Sequence, residues 1–68
     1  MKLISVQSRG NRLVRVISDD NGNNCETIEK ELYYTEKKGL TYDIGSAYCG
    51  TEYFALKRAE DWLKGASM

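Results

Sequence analysis

The sequence predicts a small α+β domain, an antiparallel β-meander of about four strands with one C-terminal helix packed on one face. Two segments rich in β-branched residues, 2–8 and 12–18, flank the turn signal Arg9-Gly10-Asn11 and predict a hairpin. A second hairpin is indicated by Glu36-Lys37-Lys38-Gly39, which suits a three-residue loop with a left-handed glycine. Residues 52–64 carry apolar side chains at helical spacing and predict the helix.

The length and composition indicate one folded, soluble domain that spans residues 1–68. A domain of this size has a small core and is commonly stabilised by a disulfide, a metal or a partner subunit. No apolar run reaches the length of a membrane span, and the first residues do not resemble a secretion signal. We therefore expect a cytoplasmic protein that does not bind membranes.

The first hairpin admits two registers. A two-residue turn at Gly10-Asn11 sets Val6 opposite Arg15 and mixes apolar and polar side chains on each face. A three-residue turn sets Val6 opposite Val14 and gives one apolar face. Because a half-buried sheet favours one apolar face, we predict the three-residue turn.

The segment 25–36 carries two competing patterns. Its helix-forming residues, together with Ile28 and Leu32 four positions apart, leave a helix over 25–32 as an alternative. Its tyrosines and threonines favour a strand, and outward pairing from the second turn separates apolar from polar side chains. We therefore predict a strand over 26–36.

The predicted pairing of the second hairpin sets Tyr34 opposite Tyr42 and Leu32 opposite Ile44. These side chains are expected to share a core with the first hairpin and the helix, while the other sheet face stays open to water or to a partner. The predicted core consists of Ile4, Val6, Val14, Val16, Leu32, Tyr34, Tyr42, Ile44, Leu56, Ala59, Trp62 and Leu63.

The helix is expected to follow a loop over 45–50. Thr51 is a suitable N-cap residue, and Glu52 places an acidic side chain in the first turn, where the helix dipole favours it. Gly65 is a suitable C-terminal stop.

The charges balance at ten basic and ten acidic residues, which argues against nucleic-acid binding through bulk charge. Their distribution is uneven, since residues 1–18 hold four basic residues and no acidic one, whereas residues 19–36 hold six acidic residues and one basic one. Neighbouring strands neutralise each other in one interpretation. In the other, an acidic strip that includes Glu29 and Glu31 binds a basic partner.

The chain offers little for catalysis or metal binding. It has no histidine, the commonest general base and a frequent metal ligand. Cys25 and Cys49 lack the second pair of soft ligands that a zinc site needs, and we expect both thiols to be reduced, although a disulfide between them stays open. The carboxylates of Glu29, Glu31 and Asp43 are expected on a sheet face open to water. We therefore expect no enzymatic activity, no cofactor and no metal.

Four aromatic residues, Tyr33, Tyr48, Tyr53 and Phe54, do not fit the predicted core. Exposed tyrosines are typical of protein–protein interfaces, so these residues are candidate partner-binding residues together with Glu29 and Glu31. In the alternative interpretation they cover the edge of a small core.

The sequence thus predicts a non-catalytic protein–protein interaction module. Its partner would be another protein or a second copy, bound through a strand edge or the open sheet face. Its size is typical of accessory inhibitors or adaptors from phages and mobile elements. The alternative is a nucleic-acid-binding module that uses Arg9, Arg12 and Arg15 of the first hairpin.

Overall fold

The computed structural model describes residues 1–67 and confirms the predicted fold class. Over this range the chain forms four antiparallel strands in a single meander sheet, followed by one helix. The elements are β1 (Lys2–Arg9), β2 (Arg12–Ser18), β3 (Cys25–Thr35), β4 (Gly39–Gly50) and α1 (Glu52–Leu63). The molecule is elongated, with dimensions of 44, 20 and 15 Å.

The first hairpin has the two-residue turn, so the predicted three-residue register is wrong. Arg9 pairs with Arg12, and Val6 pairs with Arg15 rather than with Val14. Gly10 occupies the first turn position at φ +55°, the position where a type II′ turn requires a positive φ. Such a turn matches the twist of the strands, and this local preference outweighs the separation of apolar from polar side chains.

The second hairpin confirms a strand in place of the alternative helix, but its register differs from the prediction by two residues. Thr35 pairs with Gly39 around the loop 36–38, so Tyr34 lies opposite Leu40 instead of Tyr42. A shift by two residues leaves each side chain on its predicted face, because side chains alternate with a period of two.

The expected loop over 45–50 is instead the second half of β4. Strand β3 begins at Cys25, and β4 pairs with it along its whole length, up to the Cys25–Gly50 pair. The chain leaves the sheet at Gly50, whose φ is +78°. It then enters α1 with Thr51 as the predicted N-cap, where the Thr51 Oγ1 accepts a hydrogen bond from the amide of Phe54 at 3.4 Å.

The helix covers one face of the sheet, which we call the inner face. Ala55, Ala59 and Leu63 are buried at helical spacing, and the small alanines allow a close approach to the strands. Within residues 1–67, no helix is long and apolar enough to cross a membrane.

The core is smaller than predicted and lies entirely under the helix. Its buried apolar members are Val14, Val16, Cys25, Ala55, Ala59 and Leu63, with Ile4, Cys49, Leu56 and Trp62 partly buried against them. The other predicted core residues are exposed on the opposite face; these are Val6, Leu32, Tyr34, Tyr42 and Ile44. For the residues of β3 and β4 the reason is the β2–β3 register, whereas Val6 is exposed because the two-residue turn pairs it with Arg15. Val14 pairs with Glu29 and Val16 with Thr27, so the inner face of β3 carries those polar residues.

The second hairpin extends beyond the first. Pairing between β2 and β3 ends at Arg12–Glu31, whereas β3 and β4 remain paired as far as Thr35–Gly39. Residues 32–42 therefore form a two-stranded extension, which we call the β-arm.

Candidate interaction surface

The sheet face opposite the helix, which we call the open face, is densely apolar. The three strand pairings place sixteen side chains on it, of which eleven are aliphatic or aromatic. In rows across the sheet they are Leu3, Ile17, Glu26, Tyr48; Val6, Arg15, Ile28, Ser46; Ser8, Leu13, Lys30, Ile44; and, on the β-arm, Leu32, Tyr42; Tyr34, Leu40.

Most of these apolar side chains are exposed. Nine of the thirteen large hydrophobic residues exposed among residues 1–67 lie on the open face, with exposed fractions from 36% to 72%. At roughly 200 Å² for each fully exposed large side chain, they present about 1,000 Å² of apolar surface. The total accessible surface is 4818 Å², so the open face contributes about a fifth of it.

Strand β2 contains the sequence signal for this surface. Leu13-Val14 and Val16-Ile17 are adjacent apolar pairs, and neighbouring residues of a strand point to opposite faces. Both faces of β2 must therefore be apolar, a pattern typical of strands that are covered on both sides. The prediction that the sheet has a single apolar face did not take these adjacent apolar pairs into account.

Three charged side chains interrupt the open face in the described strands. Arg15 and Glu26 lie in adjacent rows of β2 and β3, and Lys30 lies one row further along β3 than Ile28. The Lys30 ammonium stands 4.3 Å from the ring centroid of Tyr42, a cation–π contact that directs the lysine along the sheet.

The structure places Glu29 on the inner face, which corrects the expectation that its carboxylate is open to water. Only 9% of the side chain is exposed. It accepts hydrogen bonds from Arg58 at 2.8 and 3.1 Å and from the Thr27 hydroxyl at 3.0 Å. The hydrogen bond to Glu29 also raises the pKa of Arg58 above its ordinary value. This carboxylate holds the helix against the sheet.

Glu31 is paired in a similar way near the C-terminal end of the helix. It accepts a hydrogen bond from Arg12 Nε at 2.6 Å, across β2 and β3. Arg12 also donates to the Trp62 carbonyl at 2.6 Å, and its guanidinium lies 4.7 Å from the Trp62 ring centroid. These contacts favour mutual neutralisation over an exposed acidic strip.

The four aromatic candidates lie on different surfaces. Tyr33 is on the inner-face side of the β-arm, where its hydroxyl donates to Asp43 at 3.2 Å, and this bond raises the pKa of Tyr33. Tyr48 is on the open face and donates to Asn24 at 2.9 Å. Tyr53 and Phe54 are exposed on the helix and pack edge to face, with ring centroids 5.3 Å apart. The structure thus does not bring the six predicted partner-binding residues into one site.

The three arginines of the nucleic-acid alternative are also divided between faces. Arg9 and Arg12 form a cross-strand pair on the inner face, whereas Arg15 lies on the open face. Since Arg12 is occupied by Glu31 and Trp62, these side chains do not form a continuous basic strip.

The cysteines are free thiols in the structure. Cys25 is buried, and this burial raises the pKa of its thiol, so the reactive thiolate is disfavoured. Among residues 1–67, no group of three or more potential ligands is arranged to hold a metal ion.

No protein-family model, curated protein or solved structure matches the chain. The open face holds most of the exposed large hydrophobic side chains of the described residues, and it is the candidate site.

Proposed function

We propose that this protein is a non-catalytic protein-interaction module whose binding surface is the open face. The observation that supports the proposal most strongly is the amount of exposed apolar surface. The largest contiguous apolar patch of a typical monomer measures about 300–600 Å², whereas nine exposed side chains of the open face together present about 1,000 Å², interrupted by three charged side chains. An apolar surface of this size is characteristic of a site that another protein covers.

The residue types on the open face support the same function. Tyr34, Tyr42 and Tyr48 combine a large apolar ring with a polar hydroxyl, which is the chemistry enriched at protein interfaces. The few charged side chains stand among apolar neighbours, so they supply specificity within a mostly apolar contact.

The β-arm enlarges this surface. A two-stranded hairpin gains little stability alone, and Leu40 at its open face is 71% exposed. A partner that reaches beyond the four-stranded part of the open face would also bury the β-arm and fix its position. The proposal therefore includes Leu40, Tyr42 and Ile44 in the binding surface, with Tyr48 from the sequence-based candidates.

A module of this kind acts by blocking a site on another protein or by linking two proteins. The accessory inhibitor or adaptor role expected from the chain's size fits such an activity, because neither requires reacting groups.

Affinity capture with matched variants tests the proposal. Leu40→Thr/Ile44→Thr makes the open face polar with a β-branched residue that suits strands, so the sheet is preserved. Tyr53→Gln/Phe54→Gln removes a comparable amount of exposed apolar surface from the helix with a good helix former. Each tagged protein is used to capture partners from the lysate of its native host, after circular dichroism has established that it is folded.

We expect the wild type and the helix variant to capture the same protein in stoichiometric amount, and the open-face variant to lose it. Loss by the helix variant alone would transfer the function to Tyr53 and Phe54. Captured material that disappears on nuclease treatment would contradict the proposal and favour nucleic-acid binding.

A further inference from the structure

We infer that the open face packs against the open face of a second copy, related to the first by a twofold axis that lies between the two sheets and runs across the strands above Ile28 of β3. This inference rests on the proposed function and names the partner for the same surface. Two independent features of the open face support it, its area and the arrangement of its charges.

The area is sufficient for a stable dimer. A standard protein interface buries about 800 Å² on each partner, of which about 56–65% is apolar. The axis sets the three four-stranded rows of the two copies opposite each other, and the five exposed apolar side chains in these rows present about 550 Å². The β-arm of each copy extends beyond this overlap. Two sheets that pack face to face interdigitate their inner side chains into a core about 10 Å thick. The dimer would thus be a β-sandwich with one helix on each outer side.

The charges on β3 are self-complementary about Ile28. Glu26 lies two residues before Ile28 and Lys30 two residues after it, and all three side chains point to the open face. A twofold axis that runs across the strands between the Ile28 residues of the two copies exchanges the two positions, so each Glu26 meets Lys30 of the second copy. The contact therefore contains two opposite-charge pairs, as an isologous interface requires.

The same axis brings apolar residues together on the neighbouring strands. On β4, Tyr48 meets Ile44 of the second copy, since both flank Ser46. On β2, Ile17 meets Leu13 of the second copy. Arg15, which lies beside Ile28, faces Arg15 of the second copy. These rows therefore contain one pair of like charges. Replacing Arg15 with an apolar residue should therefore tighten the dimer.

A charge swap measured by sedimentation equilibrium tests this arrangement. The wild type is expected to reach twice its chain mass of 7.7 kDa as its concentration rises. Glu26→Lys and Lys30→Glu should each weaken the dimer at least about tenfold, because each places like charges in contact twice. The double variant Glu26→Lys/Lys30→Glu restores opposite charges and should regain most of the wild-type affinity.

Rescue in the double variant is diagnostic of contact between copies. Within one chain the two side chains are four residues apart on a strand, about 13 Å, so they cannot restore each other directly. Arg15→Leu should instead lower the dissociation constant of the dimer, because it removes the pair of like charges.

Three outcomes would overturn the inference. A dimer that is unaffected by all three charge variants uses another surface. A wild type that stays monomeric, while another protein is captured through Leu40 and Ile44, keeps the proposed function and excludes the second copy. A monomer without any capture that depends on the open face would refute both.

Discussion

At the scale of single residues, the Glu29 carboxylate shows how charge and packing depend on each other. Among residues 1–67 it is the one charged side chain that is buried, and it lies under the helix. Arg58 donates two hydrogen bonds to it from the helix. A buried carboxylate without a partner is costly, so the pair fixes the position of α1 on the sheet. Sequence could not predict this role, because it depends on which face of β3 the helix covers.

Replacing Arg58 tests the contribution of this ion pair. Arg58→Met should lower the free energy of unfolding by about 2 kcal/mol, because it leaves Glu29 buried without its cation. The effect stays below the roughly 3–5 kcal/mol seen when fully buried pairs are broken, because the Arg58 side chain is 46% exposed and water screens it. Urea unfolding at one fixed protein concentration provides the measurement.

Two further variants separate the charge effect from general damage to the helix. Lys57→Met, at the neighbouring exposed helix position, should change the free energy of unfolding by less than about 0.5 kcal/mol. Glu29→Gln/Arg58→Met should be more stable than Arg58→Met alone, since a neutral amide replaces the buried charge. Equal losses in Arg58→Met and Lys57→Met would show that the pair contributes nothing.

At the scale of elements, local signals predict the four strands and the helix but miss the second half of β4, where a loop over 45–50 was expected. Thr51 and the apolar spacing that follows it defined α1, and the glycine-containing turns defined two hairpins. The predicted register of each hairpin is wrong, because a shift of one or two residues changes the cross-strand partners without changing the local propensities. Local patterns also do not predict the relative register of the two hairpins, and this register decides which face the helix covers.

The turn at Gly10 is closed by contacts with the end of the chain. The amide of Asn11 donates to the Ser67 carbonyl at 3.0 Å, and the Asn11 side chain accepts a hydrogen bond from the Ser67 amide at 2.8 Å. A Cβ added at Gly10 would clash with the Ser67 carbonyl oxygen. The left-handed backbone and this close approach both require glycine at that position.

Alanine substitutions at two glycines separate these effects. Gly22 has a φ of +74°, and a Cβ there would contact nothing within 4 Å, so Gly22→Ala carries the backbone strain alone, about 1–2 kcal/mol. Gly10→Ala should destabilise the protein by a larger amount and increase hydrogen exchange at the Asn11 amide, because the C-terminal segment must move. Equal losses of stability with unchanged exchange would contradict the described contact.

At the scale of the whole molecule, the sheet is apolar on both faces while the helix covers one. The covered side has a core of small residues, and the uncovered side holds the larger aliphatic and aromatic side chains. The sequence predicted an open face and a partner surface, but it assigned the large apolar residues to the core. The difference arises because β2 contributes to both faces and the β2–β3 register turns Leu32 and Tyr34 away from the helix.

Site-specific photo-crosslinking in cells tests the central claim most directly. A photoreactive phenylalanine analogue replaces either Tyr48 on the open face or Tyr53 on the helix, two tyrosines with similar exposed fractions of 71% and 67%. We predict a discrete covalent adduct with a protein, either another protein or a second copy, from position 48 and none from position 53. An adduct from position 53 with none from position 48 would contradict the assignment of the open face as the binding surface.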